Sequence, residues 1–198
     1  MENIRKANVS DSDVVATLIL ETGFRFLPLI FWPHVKLILG RLIKTPGTVY
    51  YLDNIYVLEL DESKVVGVIV CYPGWIIKKR ALKTAAVLFQ LMGFELIKRL
   101  GIFRLVWMRN KVSKNEFYIS NVAVDKNHRG MGYGKKLMLY AEKLAHENGF
   151  SKITLDVENT NTAAIDLYKK IGYVGKSVKR INIKGNKFVF VRMEKKLS

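Results

Sequence analysis

The chain has little cysteine, little acid and no long apolar run. Of its 198 residues one is cysteine, and 17 Asp and Glu stand against 33 Lys and Arg. A single thiol, Cys71 in "KVVGVIVCY", excludes a disulfide framework within the chain, and its apolar neighbours make it a buried strand residue. The shortage of acid leaves a formal charge of +16. Such an excess favours anionic partners, whether phosphorylated cofactors, nucleic acid or an anionic membrane face, although it also serves plain solubility. No uninterrupted apolar stretch reaches the span of a bilayer. The nearest, "AAVLFQLMGFELIKRLGIFRLVWM", is broken by Glu95, Lys98 and Arg99. "MENIRKANVSDSD" lacks the apolar region of a secretory leader, so a cytoplasmic location is expected.

What is present suits one domain with a full core. Hydrophobic residues make up 49% and charged residues 25%, the usual balance of a globular protein. "NIRKAN" predicts a strand, and "SDSDVVATLILETG" a helix opened by capping residues. "FRFLPLIFWPHVKLILGRLIK", interrupted by Pro28 and Pro33, predicts a turn and a second helix from about His34. "NIYVLELD" and "KVVGVIVCY" predict an antiparallel hairpin. After residue 111, "EFYISNVAVD" predicts a strand and "MGYGKKLMLYAEKLAHEN" a helix closed by Gly149 at its C′ position. "KITLDVE" then predicts a strand, "NTAAIDLYKKIG" a helix, and "YVGKSVKRIN" with "NKFVFVRMEKK" a hairpin turning at "KGN". The expected class is mixed α/β, one domain over residues 1–198.

Residues 75–111 stand apart. Nine basic residues face one acid, Glu95. Leu82, Ala85, Ala86 and Phe89, then Leu96, Leu100, Phe103 and Val106, recur at helical spacing. They predict two amphipathic helices joined near Gly93, inserted before the central strand. With "FRFLPLIFW", this block is expected to wall a substrate pocket through Phe24, Phe26, Phe31, Trp32 and Trp75, and its charge to repel a polycation. Padding of the core, or contact with a second copy in a homodimer, are the alternatives.

"NHRGMGYGKK", residues 127–136, places three alternating glycines between a strand and a helix. Bare N–H groups and the helix's positive end then point the same way, which suits a phosphate. The structural alternative is a turn that needs only positive φ. A Walker A loop fails, because Arg129 stands at its first glycine and Lys136 at its hydroxyl. A dinucleotide fingerprint from Gly130 and Gly132 would put its third glycine at Lys135, although Asp156 lies where a ribose-binding acid belongs.

Arg129, Gly130, Gly132 and Gly134 form Arg-Gly-x-Gly-x-Gly, preceded by "ISNVAV" and followed by "NTAAIDLYKKIGY" at residues 161–173. These motifs and their spacing resemble the GNAT superfamily of N-acetyltransferases, over about residues 116–175. The resemblance implies an acyl-CoA N-acyltransferase fold, with a central, mostly antiparallel mixed sheet flanked by helices. It also implies transfer of the acetyl group of acetyl-CoA to a primary amine by direct attack, without a metal. The acceptor stays open among a small-molecule amine, a peptide N-terminus and a lysine.

The same resemblance implies site residues. Arg129, Gly130, Met131, Gly132, Tyr133, Gly134 and Lys135 would hold the pyrophosphate, with Lys126, His128 and Lys136 adding charge. Val122, Ala123 and Val124 would pair with the pantetheine arm, on a strand that in the family carries a bulge. Tyr168 would give a proton to the departing thiolate, its alternative being an aromatic on a packed face. Asn161 would hold coenzyme A or simply cap a helix. Glu116 occupies the place of a glutamate base, with a water chain as the other route. Strand alternation puts Glu116, Tyr118 and Ser120 on one face, and Phe117, Ile119 and Asn121 on the other. Two other function classes are a coenzyme A-binding sensor without catalysis and a basic module for nucleic acid or a membrane surface. No nucleic-acid motif is present.

Overall fold

The β-branched run Val65–Tyr72 becomes the middle of a ten-residue strand, β3 (Lys64–Pro73), buried on both faces from Val66 to Tyr72. A strand covered on both sides reads as continuous apolar sequence. In the computed structural model, which describes residues 2–31, 34–60, 64–102 and 112–197, β3 lies inside a seven-stranded sheet. The others are β1 (Asn3–Lys6), β2 (Ile55–Leu60), β4 (Phe117–Val124), β5 (Lys152–Glu158), β6 (Val174–Ile183) and β7 (Asn186–Lys196). Their order is β1-β2-β3-β4-β5-β7-β6, with every neighbouring pair antiparallel except β4 and β5. The last hairpin turns through Lys184 and Gly185, both at positive φ, as a tight two-residue turn requires.

Helices cover both faces of the sheet. One face carries α1 (Ser12–Thr22), α2 (Leu27–Phe31), α3 (Val35–Lys44) and α4 (Trp75–Met92). Their residues Ile19, Leu39, Leu42, Ile43 and Ile76 pack with Val57, Val68, Val70 and Tyr118 of the strands. The opposite face carries α6 (Tyr133–Glu147) and α7 (Thr162–Lys170), separated from α4 in sequence by α5 (Phe94–Lys98). There Leu137, Met138, Ala141 and Tyr168 pack with Ile69, Cys71, Ile119 and Leu155. Cys71 is a free, buried thiol, and burial pushes its pKa up to about 12.

Local rules explain the ends. Asn8 and Asp11 form a reciprocal capping box around a 3₁₀ turn before α1, so the cap lies upstream of the "SDSD" segment expected to supply it. Pro28 sits in the first turn of α2, where its missing N–H costs nothing. Gly149 (φ +75) follows α6 as C′, and Phe150 N–H returns to the Ala145 carbonyl. Gly67 lacks a side chain where a Cβ would stand 3.0 Å from Leu137 of α6, so the helix can lie close to the sheet.

α4 and α5 meet at Gly93, which takes a positive φ of 53°. The side of α4 that faces inward differs from the expected stripe. Ile76, Val87 and Leu88 are buried, whereas Leu82, Ala85, Ala86 and Phe89 are exposed. Polar contacts hold the inner side. Arg80 makes a two-pronged bond to Asp53 (2.7 and 2.5 Å) and a third to the Thr48 carbonyl, while Thr84 Oγ1 accepts from Val49 N–H at 3.1 Å. Trp32 and Pro33 of the aromatic stretch, residues 61–63, and Phe103, Arg104, Val106, Arg109 and Lys111 of the basic block lie outside the described residues. Among the described residues no helix is long and apolar enough to cross a membrane.

Candidate active site

The site begins where two neighbouring strands part. β4 pairs with β5 through Phe117–Ile119 and Ile153–Leu155. On its other edge β4 pairs with β3, where Val70 faces Asn121 and Cys71 faces Ile119, leaving Ser120 as an extra residue. Such a bulge bends a strand and re-aims the side chains beyond it. Past Ser120 a cleft of about 550 Å³ opens, with Ile119–Val122 of β4 on one side and Leu155–Glu158 of β5 on the other.

The bulge also changes which way a side chain points. Simple alternation predicts Asn121 opposite Ser120, yet its Nδ2 donates to Thr22 Oγ1 of α1 at 2.7 Å, and Ser120 Oγ donates to Asn121 Oδ1 at 2.9 Å. Both side chains therefore stand on the α1 side of the sheet. Val122 regains the alternation and packs with the opposite core, as does Val124, while Ala123 packs on the α1 side.

From Val124 the chain enters the glycine loop. Asp125 caps a 3₁₀ turn, accepting from Asn127 N–H at 3.0 Å and bonding His128 Nδ1 at 2.8 Å. His128 is thereby engaged within the loop. Arg129 Nε donates back to the Val124 carbonyl, and its other arm reaches Glu21 Oε2 at 2.9 Å, across the cleft rim. Gly130 (φ +82) and Gly132 (φ +81) both hold left-handed backbone, and beyond their chain neighbours nothing lies within 4 Å of where their Cβ would stand. The backbone conformation and the open space above it account for glycine at both.

Gly132 is the N-cap of α6, and Lys136 N–H returns to its carbonyl at 3.1 Å. The N–H groups of Gly132, Tyr133, Gly134 and Lys135 are then the donors that a helix leaves without a partner of its own. Gly134 has a separate reason: a Cβ there would stand 3.2 Å from Leu167, so the first turn of α6 lies against α7. Lys136 pairs with Glu2 and lies over the Tyr133 ring, while Met131 is exposed.

Leu167 precedes Tyr168, which lines the cleft and is 6% exposed. Burial pushes its pKa up to about 12, so the phenol is held protonated. Asn161 also lines the cleft, and its Oδ1 accepts from Ala164 N–H at 3.2 Å, capping α7. Val122, Asn161 and Tyr168 thus share one cavity, and the Arg129–Lys135 loop stands at the end of the strand that forms its wall.

Glu116 is placed elsewhere. It sits on the Tyr118 side of β4, nearly buried, and is not among the residues lining the cleft. Its carboxylate accepts from Thr154 Oγ1 at 3.1 Å and pairs with Lys152 at 3.1 Å and Arg192 at 3.5 Å. The carboxylate that does reach the cleft is Asp156. Arg192 bonds it at 2.8 and 2.7 Å, Lys179 at 3.0 Å, and the Tyr118 hydroxyl donates at 3.2 Å. Burial opposes ionisation of Asp156, but Arg192 and Lys179 outweigh it and hold the acid below its usual range. Burial, then the Asp156 charge, push the Tyr118 phenol well up. The sequence puts Asp156 where a ribose-binding acid belongs, but its partners Lys179 and Arg192 come from the last hairpin, and no local motif announces them.

The expected pocket wall is half present. Phe24, Arg25, Phe26 and Leu27 line the cleft, and Phe26 stacks edge-on with Phe190 (centroids 5.4 Å apart). Trp75 and the other described residues of the basic block do not line it. Among the described residues, the cleft's charged lining is Glu21, Asp156 and Glu158 with Arg25. Among the described residues, no group of three or more His, Cys, Asp or Glu is arranged to hold a metal.

Comparison with known proteins completes the picture. Streptothricin acetyltransferase of Streptomyces lavendulae is 38% identical over 55 residues, 28% of this chain and 29% of that one. The chain therefore spans less than a third of that relative's length in the match. A crystal structure of an acetyltransferase superposes with a TM-score of 0.70 at 23% identity, covering 99% of this chain and all of the other. A Salmonella typhimurium protein determined with its cofactor acetyl-CoA superposes at 0.63 with 14% identity, covering 100% and 94%. At these identities the structural likeness speaks for the fold. The model of the acetyltransferase (GNAT) family matches residues 44–173, a span that takes in the parted strands, the glycine loop and Tyr168. The chain belongs to the acetyltransferase (GNAT) family.

Proposed function

We propose that the chain is an acetyl-CoA-dependent N-acetyltransferase working by direct attack of an amine on the thioester. The observation that carries this reading is the parting of β4 from β5 at the Ser120 bulge, with the glycine loop at one end and Tyr168 lining the gap. The donor set fits a nucleotide-linked diphosphate: unpartnered N–H groups from Gly132 to Lys135, the positive end of α6, and Arg129 beside them. An N–H bond to a charged oxygen contributes about 1.5–3 kcal/mol, and a helix end about 0.3–1 kcal/mol. The freed main chain of Val122–Val124 offers an edge to an amide-bearing arm. Acetyl-CoA when bound supplies the activated acyl carbon and a thiolate leaving group.

Tyr168 holds the proton that the thiolate takes. Its phenol, pushed up to about 12, carries that proton throughout the neutral range. The attacking amine must itself lose a proton, which at neutral pH costs an ordinary alkylamine about 4–5 kcal/mol. Between Glu116 and a water chain as the route, the engagement of Glu116 by Thr154, Lys152 and Arg192 favours water in the cleft. Phe24, Phe26 and Phe190 give the cleft apolar walls, and its carboxylates are each paired, Glu21 with Arg129, Asp156 with Arg192 and Lys179, and Glu158 with Arg25.

Thiol release measured with acetyl-CoA over a panel of amines and peptides tests the reading. Turnover of at least one amine is expected, with kcat lowered about 10²–10⁴-fold in Tyr168→Phe. The ratio of the two enzymes should stay flat from neutral pH to about pH 10, because the phenol does not ionise in that window. Acetyl-CoA should raise the melting temperature of both, and Gly132→Trp should lose that rise. No thiol release and no thermal shift would end the proposal.

A further inference from the structure

α4 turns an apolar line outward. At 100° per residue, Trp75, Leu82, Ala86 and Phe89 fall along one side of the helix, opposite Arg80, Thr84 and Leu91. Leu82 is 87% exposed and Phe89 54%. Lys79 and Lys83 stand on one flank of this line and Lys78 on the other, with the Lys79 ammonium 5.2 Å above the Trp75 ring. α5 extends the same character, with Phe94 80% exposed and Ile97 49%. Scattered apolar residues on a surface need no explanation, but a continuous line does. An apolar line with lysine flanks and a terminal tryptophan is the pattern of a helix that lies in the plane of a lipid surface.

We propose that the outward side of α4 and α5 docks on an anionic lipid surface, with Trp75, Leu82, Phe89 and Phe94 entering the boundary between headgroups and acyl chains. Charge selects this occupant. A second copy packed symmetrically on the same patch brings the same set of residues from both copies into one interface. Lys78, Lys79 and Lys83 of both copies would then share one interface, and the one acid of the block, Glu95, is already bonded to Lys98 at 2.6 Å. Anionic headgroups neutralise the same lysines. A shallow groove beside the last turn of α4 widens the basic margin: Gln90, on the Lys79 and Lys83 flank, lines it together with Lys36, Arg41 and Lys44. Its one acid is Asp13, 3.8 Å from Lys44. Among the described residues none lines both this surface and the acetyltransferase cleft, so docking and catalysis can be read separately.

The test mixes the full chain with vesicles of phosphatidylcholine, alone or with a share of phosphatidylglycerol, and measures the sedimented fraction over a salt series. Binding to the anionic vesicles, little binding to the neutral ones, and a decline with salt are expected. Leu82→Glu with Phe89→Glu should weaken binding by more than about tenfold. Each of Lys78→Gln, Lys79→Gln and Lys83→Gln should weaken it about fivefold. The lysine series leaves the core untouched and decides the matter if the glutamate pair melts early. Failure of the unaltered chain to sediment, or binding that ignores all five substitutions, overturns the proposal. So does a dimer in analytical ultracentrifugation that Leu82→Glu dissociates while vesicles bind nothing, which would give the surface to a second copy.

Discussion

α4 and α6 both carry an apolar periodicity, and they turn opposite sides of it toward the rest of the protein. In α6 the stripe goes in: Leu137, Met138, Ala141 and Ala145 are fully buried. In α4 the residues of the stripe stay out, and the helix is held through Arg80 and Thr84 on its other side. Periodicity tells that a helix has two unlike sides. It does not tell which side meets the protein when a polar side can be satisfied more completely inside. The deciding partners of α4, Asp53 and Val49, lie 27 and 35 residues away in sequence. The partners of α6 include Gly67, whose missing side chain leaves room for Leu137.

Unfolding by denaturant measures this contrast. Met138→Ala should cost about 2–5 kcal/mol, since it opens a cavity in a closed core. Arg80→Ala should cost about 2 kcal/mol, because Asp53 loses two charged bonds and the Thr48 carbonyl loses its donor. Leu82→Ala and Phe89→Ala should stay within about 0.5 kcal/mol. A loss at Leu82 equal to that at Met138 would mean that α4 packs the other way round, and the contrast would vanish. A negligible loss at Arg80 would leave the orientation of α4 resting on Ile76, Val87 and Leu88 alone.

The element order was legible, because strands, caps and turns act over a few residues: β3 announces itself by β-branched residues, and α6 by Gly149 beyond its end; the mixed sheet came only with the family resemblance. The glycine loop and the "LY" motif were legible because their residues are contiguous. The bulge was not. It exists in the pairing between β3 and β4, where Ser120 has no opposite number, and it turned Asn121 to the side that simple alternation denied it. The Asp156 cluster was hidden for a similar reason, since β5, β6 and β7 each supply one member. Glu116 was visible as a residue, but its three partners, which set its availability, were not.

The short ladder between β4 and β5 divides the sheet at its centre. β3 holds β4 along Phe117–Val124, and β7 holds β5 along its whole length, yet the main-chain ladder between the two blocks runs through Phe117–Ile119 alone. Main-chain amides on each block should therefore exchange with solvent as a set, and the two sets need not open together. The seam gives the molecule a place to part without either block losing its own hydrogen bonds.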